Sequence, residues 1–87
     1  MSRYRVELTG AAAKQIRRLD PAAQRRVLAA LTRLEVDPRP AGVKKLTGFD
    51  DAWRIRIGDY RVLYEISDKT VLVTVFRVAH RREAYGR

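Results

Sequence analysis

The residue pattern predicts an α+β domain in which a helix hairpin packs on one face of a four-stranded, mainly antiparallel sheet, in the order β-α-α-β-β-β. Three observations predict it. Residues 3–8 alternate apolar and polar side chains with strand period. Two stretches between Thr9 and Val36 carry apolar residues at helical spacing and are split by Asp20-Pro21. Three further runs, over 52–57, 60–66 and 71–78, have strand chemistry and are divided by turn residues. At 87 residues the chain has room for one such domain, spanning 1–87, near the lower size limit for folding alone.

The first strand, over 3–8, puts Tyr4, Val6 and Leu8 on one face and Arg3, Arg5 and Glu7 on the other. Thr9 can then cap a helix over 10–19 whose apolar stripe is Ala12, Ile16 and Leu19. Asp20 can cap a second helix and Pro21 suits its first position. That helix runs to about Val36, burying Ala23, Val27, Leu31 and Leu34 and wetting Gln24, Arg25, Arg26 and Arg33. So short a connection predicts an antiparallel helix hairpin, and the Pro38–Gly42 stretch then opens a loop. In 52–57, Trp53, Ile55 and Ile57 face inward and Arg54 and Arg56 outward. Gly58-Asp59 is a two-residue hairpin signal. In 60–66, Tyr60, Val62, Tyr64 and Ile66 face inward, with Arg61, Leu63 and Glu65 outward. Residues 71–78 are apolar on both faces, as in a central strand.

Composition narrows the function. There is no cysteine, which removes disulfides and zinc fingers. No apolar run approaches the roughly 20 residues that span a bilayer, and the N-terminus has no signal-peptide stretch, so an intracellular, cytoplasmic protein without a membrane role is expected. The net charge is +9, from 19 basic and 10 acidic residues, which predicts a polyanionic partner. Fifteen of the cations are Arg, the residue suited to bidentate phosphate contact and also the residue that a GC-rich coding sequence favours. The chain offers no Cys–His pair, no pair of histidines for a metal and no Gly-rich phosphate loop, so neither metal nor cofactor is expected.

One constellation stands out. If Gly58-Asp59 is the loop, Ile57 pairs with Tyr60 and Arg56 with Arg61. Arg54 lies two residues along on the same face. Like charges directly opposite destabilise a sheet by roughly 0.2–1 kcal/mol, so this face is arranged to receive an anion or is a solvated face on which Arg is merely soluble. Outward Leu63 and Phe76 favour a surface that something covers. Beyond it, His80 is the sole histidine and the one side chain whose ordinary pKa lies near neutrality. Arg81, Arg82 and Glu83 follow, and the Tyr85 ring can pin the tail or stack a nucleobase.

The order of elements, Lys45-Leu46-Thr47-Gly48 before Trp53-Arg54-Ile55-Arg56, the hairpin Gly58-Asp59-Tyr60-Arg61-Val62-Leu63-Tyr64, and the ending Arg77-Val78-Ala79-His80-Arg81-Arg82-Glu83-Ala84-Tyr85 resemble the RelE/ParE toxin superfamily over essentially the whole chain. In its RelE-like branch the resemblance implies a ribosome-dependent, metal-independent endoribonuclease, an mRNA interferase that cuts the A-site codon by attack of the 2′-hydroxyl on the adjacent phosphate. It implies Arg61 as transition-state stabiliser, Arg81 as the residue that protonates the leaving group or contacts the phosphate, and Tyr85 as the residue that orients the base. Lys44, Lys45, Arg54, Arg56 and Arg82 would contact RNA. Arg54 and Arg56 stand where typical members carry lysines, one of them a proposed base, and a guanidinium is a very poor base. His80, with Glu83 second, is the expected proton acceptor. The ParE branch implies gyrase inhibition without cleavage, and a non-catalytic module that represses transcription with its antitoxin is the third alternative. The implied partners are a cognate antitoxin, the ribosome with its mRNA and 16S rRNA, and operator DNA through the antitoxin alone.

Overall fold

The computed structural model describes residues 3–84, with the side chains of Glu83 and Ala84 outside that description. Strand β1 (Arg5–Leu8) leads into helices α1 (Gly10–Arg17) and α2 (Pro21–Val36), then β2 (Lys44–Lys45), β3 (Ala52–Ile57), β4 (Tyr60–Ser67), β5 (Leu72–His80) and the short helix α3 (Arg81–Ala84). The sheet order is β1-β5-β4-β3-β2. β1 runs parallel to β5, and the other pairs are antiparallel. The α+β architecture matches expectation, but among the described residues the sheet has five strands rather than four. The addition, β2, has two residues, too few to carry a readable alternation.

Local chemistry sets the helix bounds. The Thr9 hydroxyl accepts from the Ala12 amide at 3.1 Å and starts α1. The helix ends at Arg17, short of the expected residue 19, because the Arg18 and Leu19 amides turn to the carbonyls three residues back, Gln15 and Ile16. Leu19 still packs on the core from outside the helix. The Asp20 carboxylate accepts from the Ala23 amide at 2.7 Å, and Pro21 opens α2. Val27, Ala30, Leu31 and Leu34 form the buried stripe of α2.

Those helices cover the sheet face that carries Ile55, Val62, Tyr64, Ile66, Val73, Val75 and Val78. The inward positions of β5 run 73, 75, then 78, because a bulge interrupts the ladder: Leu63 pairs with Arg77 and Tyr64 with Val75, leaving Phe76 unopposed. The bulge keeps Arg77 off the core side. β1 ends opposite Val75, so the Val78 amide lies beyond it, and the Gln15 side chain on α1 accepts from that amide at 2.6 Å.

At the end of the sheet opposite the Gly58-Asp59 turn, Arg39 ties three segments together. Its guanidinium bonds Asp51 at 2.9 Å and Asp68 at 3.0 Å, and lies 5.5 Å from the Trp53 ring centre. The Trp53 indole also donates to Asp51, at 2.6 Å, and the Tyr4 hydroxyl donates to Asp68, at 2.6 Å. The Arg39 guanidinium and the Tyr4 hydroxyl hold the Asp68 carboxyl below the usual carboxylate range. Asp51 thus neutralises Arg39 and accepts from Trp53. Nearby, the Tyr64 hydroxyl donates to the Pro38 carbonyl at 2.8 Å, and burial pushes that phenol up to about 12.

Candidate functional site

The tight turn makes the site. Gly58 takes φ +59°, the conformation that a two-residue loop with glycine first requires. It fixes the register as Ile57 opposite Tyr60 and Arg56 opposite Arg61. The face away from the helices then carries two cationic rungs. The first runs Arg56, Arg61, Ala79 across β3, β4 and β5. The second runs Lys44, Arg54, Leu63, Arg77 from β2 to β5. Neither rung contains a carboxylate. Rungs on one face are two residues apart, about 7 Å.

Arg61 differs from the simple outward reading. It is 8% exposed and is the one buried charged residue among those described. It sits at mid-sheet between Arg56 and Ala79, at the end where α3 packs against β4 and β5. Its neighbours Arg56 and Arg77 are exposed and Arg54 is half-buried. A buried guanidinium beside another cation meets less dielectric screening, which raises its attraction for an incoming anion.

The second rung includes Lys44 but not Lys45, which opposes Trp53 and so alternates away from Arg54. Farther along the same face, the loop after β2 folds back and sets the Phe49 ring 5.9 Å from Phe76 at the bulge. Leu63 and Phe76 are half-buried, whereas Phe49 remains 49% exposed.

The expected tail residues divide. The Arg81 amide donates to the Asp59 carbonyl at 2.6 Å and its guanidinium lies 3.9 Å from the Asp59 carboxylate, so Arg81 is fastened to the hairpin tip, two residues before Arg61. Arg82 is exposed on α3. His80 goes elsewhere. It pairs with Tyr60, its ring edge-on to that ring at 5.5 Å, so alternation puts it on the helix side while Arg61 and Ala79 face the opposite way. Its Nδ1 accepts from the Arg82 amide at 3.3 Å. The Glu83 side chain and Tyr85 lie outside the described residues. Arg77 joins the face without having been expected there; the slip from Val73 and Val75 to Val78 was the available signal. Among the described residues no group of His, Cys, Asp or Glu could hold a metal ion.

The family model described as "ParE toxin of type II toxin-antitoxin system, parDE" matches residues 6–85, nearly the whole chain. The chain belongs to the RelE/ParE toxin superfamily. Toxin RelG of Mycobacterium tuberculosis is 32% identical over 89 residues, covering 97% of this chain and 98% of its own. The RelE–RelB complex from Pyrococcus horikoshii contains a chain of TM-score 0.81 and 33% identity, with 92% of this chain and 97% of that one covered. Isolated RelE of Escherichia coli superposes with TM-score 0.80 at 28% identity, covering 94% of this chain and 90% of that one. The RelE/ParE fold thus accounts for the sheet, the helix pair and the hairpin together, and no helix among the described residues of this toxin is long and apolar enough to cross a membrane.

Proposed function

We propose that this type II toxin is a ribosome-dependent endoribonuclease that blocks translation in the cytoplasm by cutting mRNA in the ribosomal A site. The observation that carries the reading is Arg61, buried at mid-sheet directly opposite Arg56 with a second cationic rung beside it. A face with guanidiniums on facing strands suits a phosphate that gains charge during reaction. The substrate 2′-oxygen attacks the adjacent phosphorus, the bond from phosphorus to the 5′-oxygen breaks, and a 2′,3′-cyclic phosphate and a 5′-hydroxyl result. One proton leaves the 2′-hydroxyl and one reaches the 5′-oxygen.

In this reading Arg61 stabilises the pentavalent phosphorus, Arg81 delivers the proton to the departing 5′-oxygen or contacts the phosphate, in which case water delivers it, and Tyr85 orients the base. Arg54, Arg56, Lys44 and Arg82 hold the RNA backbone; Lys45, which alternates to the other side opposite Trp53, is left out of that track. His80, with Glu83 second, is assigned the proton from the 2′-hydroxyl; His80 must leave the Arg82 amide and turn towards the arginine face to take it. No metal is invoked. The RNA supplies its own nucleophile, so alignment and charge neutralisation can carry most of the acceleration. The chains in the related complexes bind RelB antitoxins, which supports a cognate antitoxin that covers the arginine face with Leu63 and Phe76. Operator DNA would be reached through that antitoxin.

The matching family model bears the ParE name, which favours a second reading, inhibition of DNA gyrase. Parallel assays of the purified toxin separate the two. Arrest of a reconstituted translation mix with gyrase supercoiling untouched is expected; lost supercoiling with translation intact would transfer the chain to the gyrase reading.

A further inference from the structure

The cations of α2 are not only a wet helix face. Among the described residues no β2 residue beyond Lys44 pairs with β3, and none forms a strand beside the outer edge of β3 at Arg56. An open groove of about 470 Å³ lies there, lined by Arg33 of α2, Ala41 and Gly42 of the following loop, and Ile55, Arg56 and Gly58. Arg26 of α2 lies beside the lining residue Gly58: a Cβ there would be 2.8 Å from its guanidinium. Arg26 and Arg33 are seven residues apart, two turns on one helix face, about 10 Å along the axis. Neither has an acidic partner among the described residues, and no carboxylate lines the groove.

We infer that this groove is a second phosphate-binding site, distinct from the Arg61 face, that takes the sugar–phosphate backbone of RNA. Three guanidiniums around an open edge attract a polyanion. The groove's apolar lining is only Ile55 and Ala41, too little for the deep apolar pocket that anchors a protein partner. Arg56 belongs both to the groove and to the rung with Arg61, so one continuous strand can lie on the sheet face and pass over the β3 edge to α2. The inference rests on the RNA reading of that face but not on cleavage.

The test is binding of the full-length toxin to a short labelled single-stranded RNA, by anisotropy over a series of salt concentrations, without ribosomes. The variants are Arg33→Glu and Arg26→Glu/Arg33→Glu, with thermal melts as folding controls. The double variant should bind at least about 10-fold more weakly, with a salt slope shallower by about 1.4, two phosphates at about 0.7 each. Arg33→Glu, which does not touch Gly58, should show about half the slope change and carries the test if the double variant is destabilised. Unchanged affinity and slope would return these arginines to a solvated face. A loss confined to binding of a poly-glutamate peptide would make the groove a protein-docking site and overturn the inference. If RNA binding depends on these arginines while the wild type fails to cut mRNA on ribosomes, the groove stands and the nuclease reading alone falls.

Discussion

Arg61 is where stability and activity part. A guanidinium buried opposite another cation is not what packing alone would select. Replacing it with the apolar Arg61→Met should leave the thermal midpoint equal or higher, while Arg61→Ala and Arg61→Met both lower single-turnover cleavage by about 100-fold or more. A lower midpoint for Arg61→Met would make Arg61 a structural residue. Asp68 makes an opposite case. Its folded pKa lies below the unfolded value, so its contribution is present above the ordinary carboxylate range and is lost as pH falls through that range and below. Acid unfolding of the wild type should therefore be steeper below about pH 4 than that of Asp68→Asn; parallel curves would mean that Arg39 and Tyr4 do not hold the carboxylate. At this scale the sequence was informative about neighbours and silent about cover. Gly58-Asp59 sets Arg56 against Arg61 whatever lies above them. The burial of Arg61 depends on its place in mid-sheet between β3 and β5, a pairing between distant segments that no local pattern displays.

The hairpin between β3 and β4 carries the site, and its turn is built around one glycine. Gly58→Ala would force a side chain into positive φ and into the Arg26 guanidinium. It should cost about 1–2 kcal/mol in chemical denaturation. Adding Arg26→Ala should recover the part due to contact but not the part due to φ; full recovery would assign the whole cost to the clash. The helix caps were legible because Thr9 and Asp20-Pro21 are short-range signals acting on the next three residues. The β5 bulge was less so. A central strand is apolar on both faces, so the slip that turns Arg77 outward hides among Val, Leu and Phe. His80 moved for a related reason: its face depends on the register at the far end of β5, and that register places it with Tyr60.

Across the whole molecule, the helices shield one sheet face and leave cations on the other face and around the β3 edge. The α+β class followed from the order of periodicities. The parallel closure of β1 on β5 and the two-residue β2 did not, because both depend on contacts between distant segments. Such a charge distribution predicts that Arg56→Glu weakens both antitoxin and ribosome binding, each in a salt-dependent way. Unchanged antitoxin affinity would mean that the partner docks elsewhere.

The most direct test is primer extension on a defined mRNA in a reconstituted translation mix, with wild-type toxin and Arg61→Ala side by side. New ends inside A-site codons, present with the wild type, lost with Arg61→Ala and absent on RNA without ribosomes, are the predicted result. Intact mRNA with the wild type, or identical cleavage by Arg61→Ala, would contradict the assignment of this face to RNA cleavage.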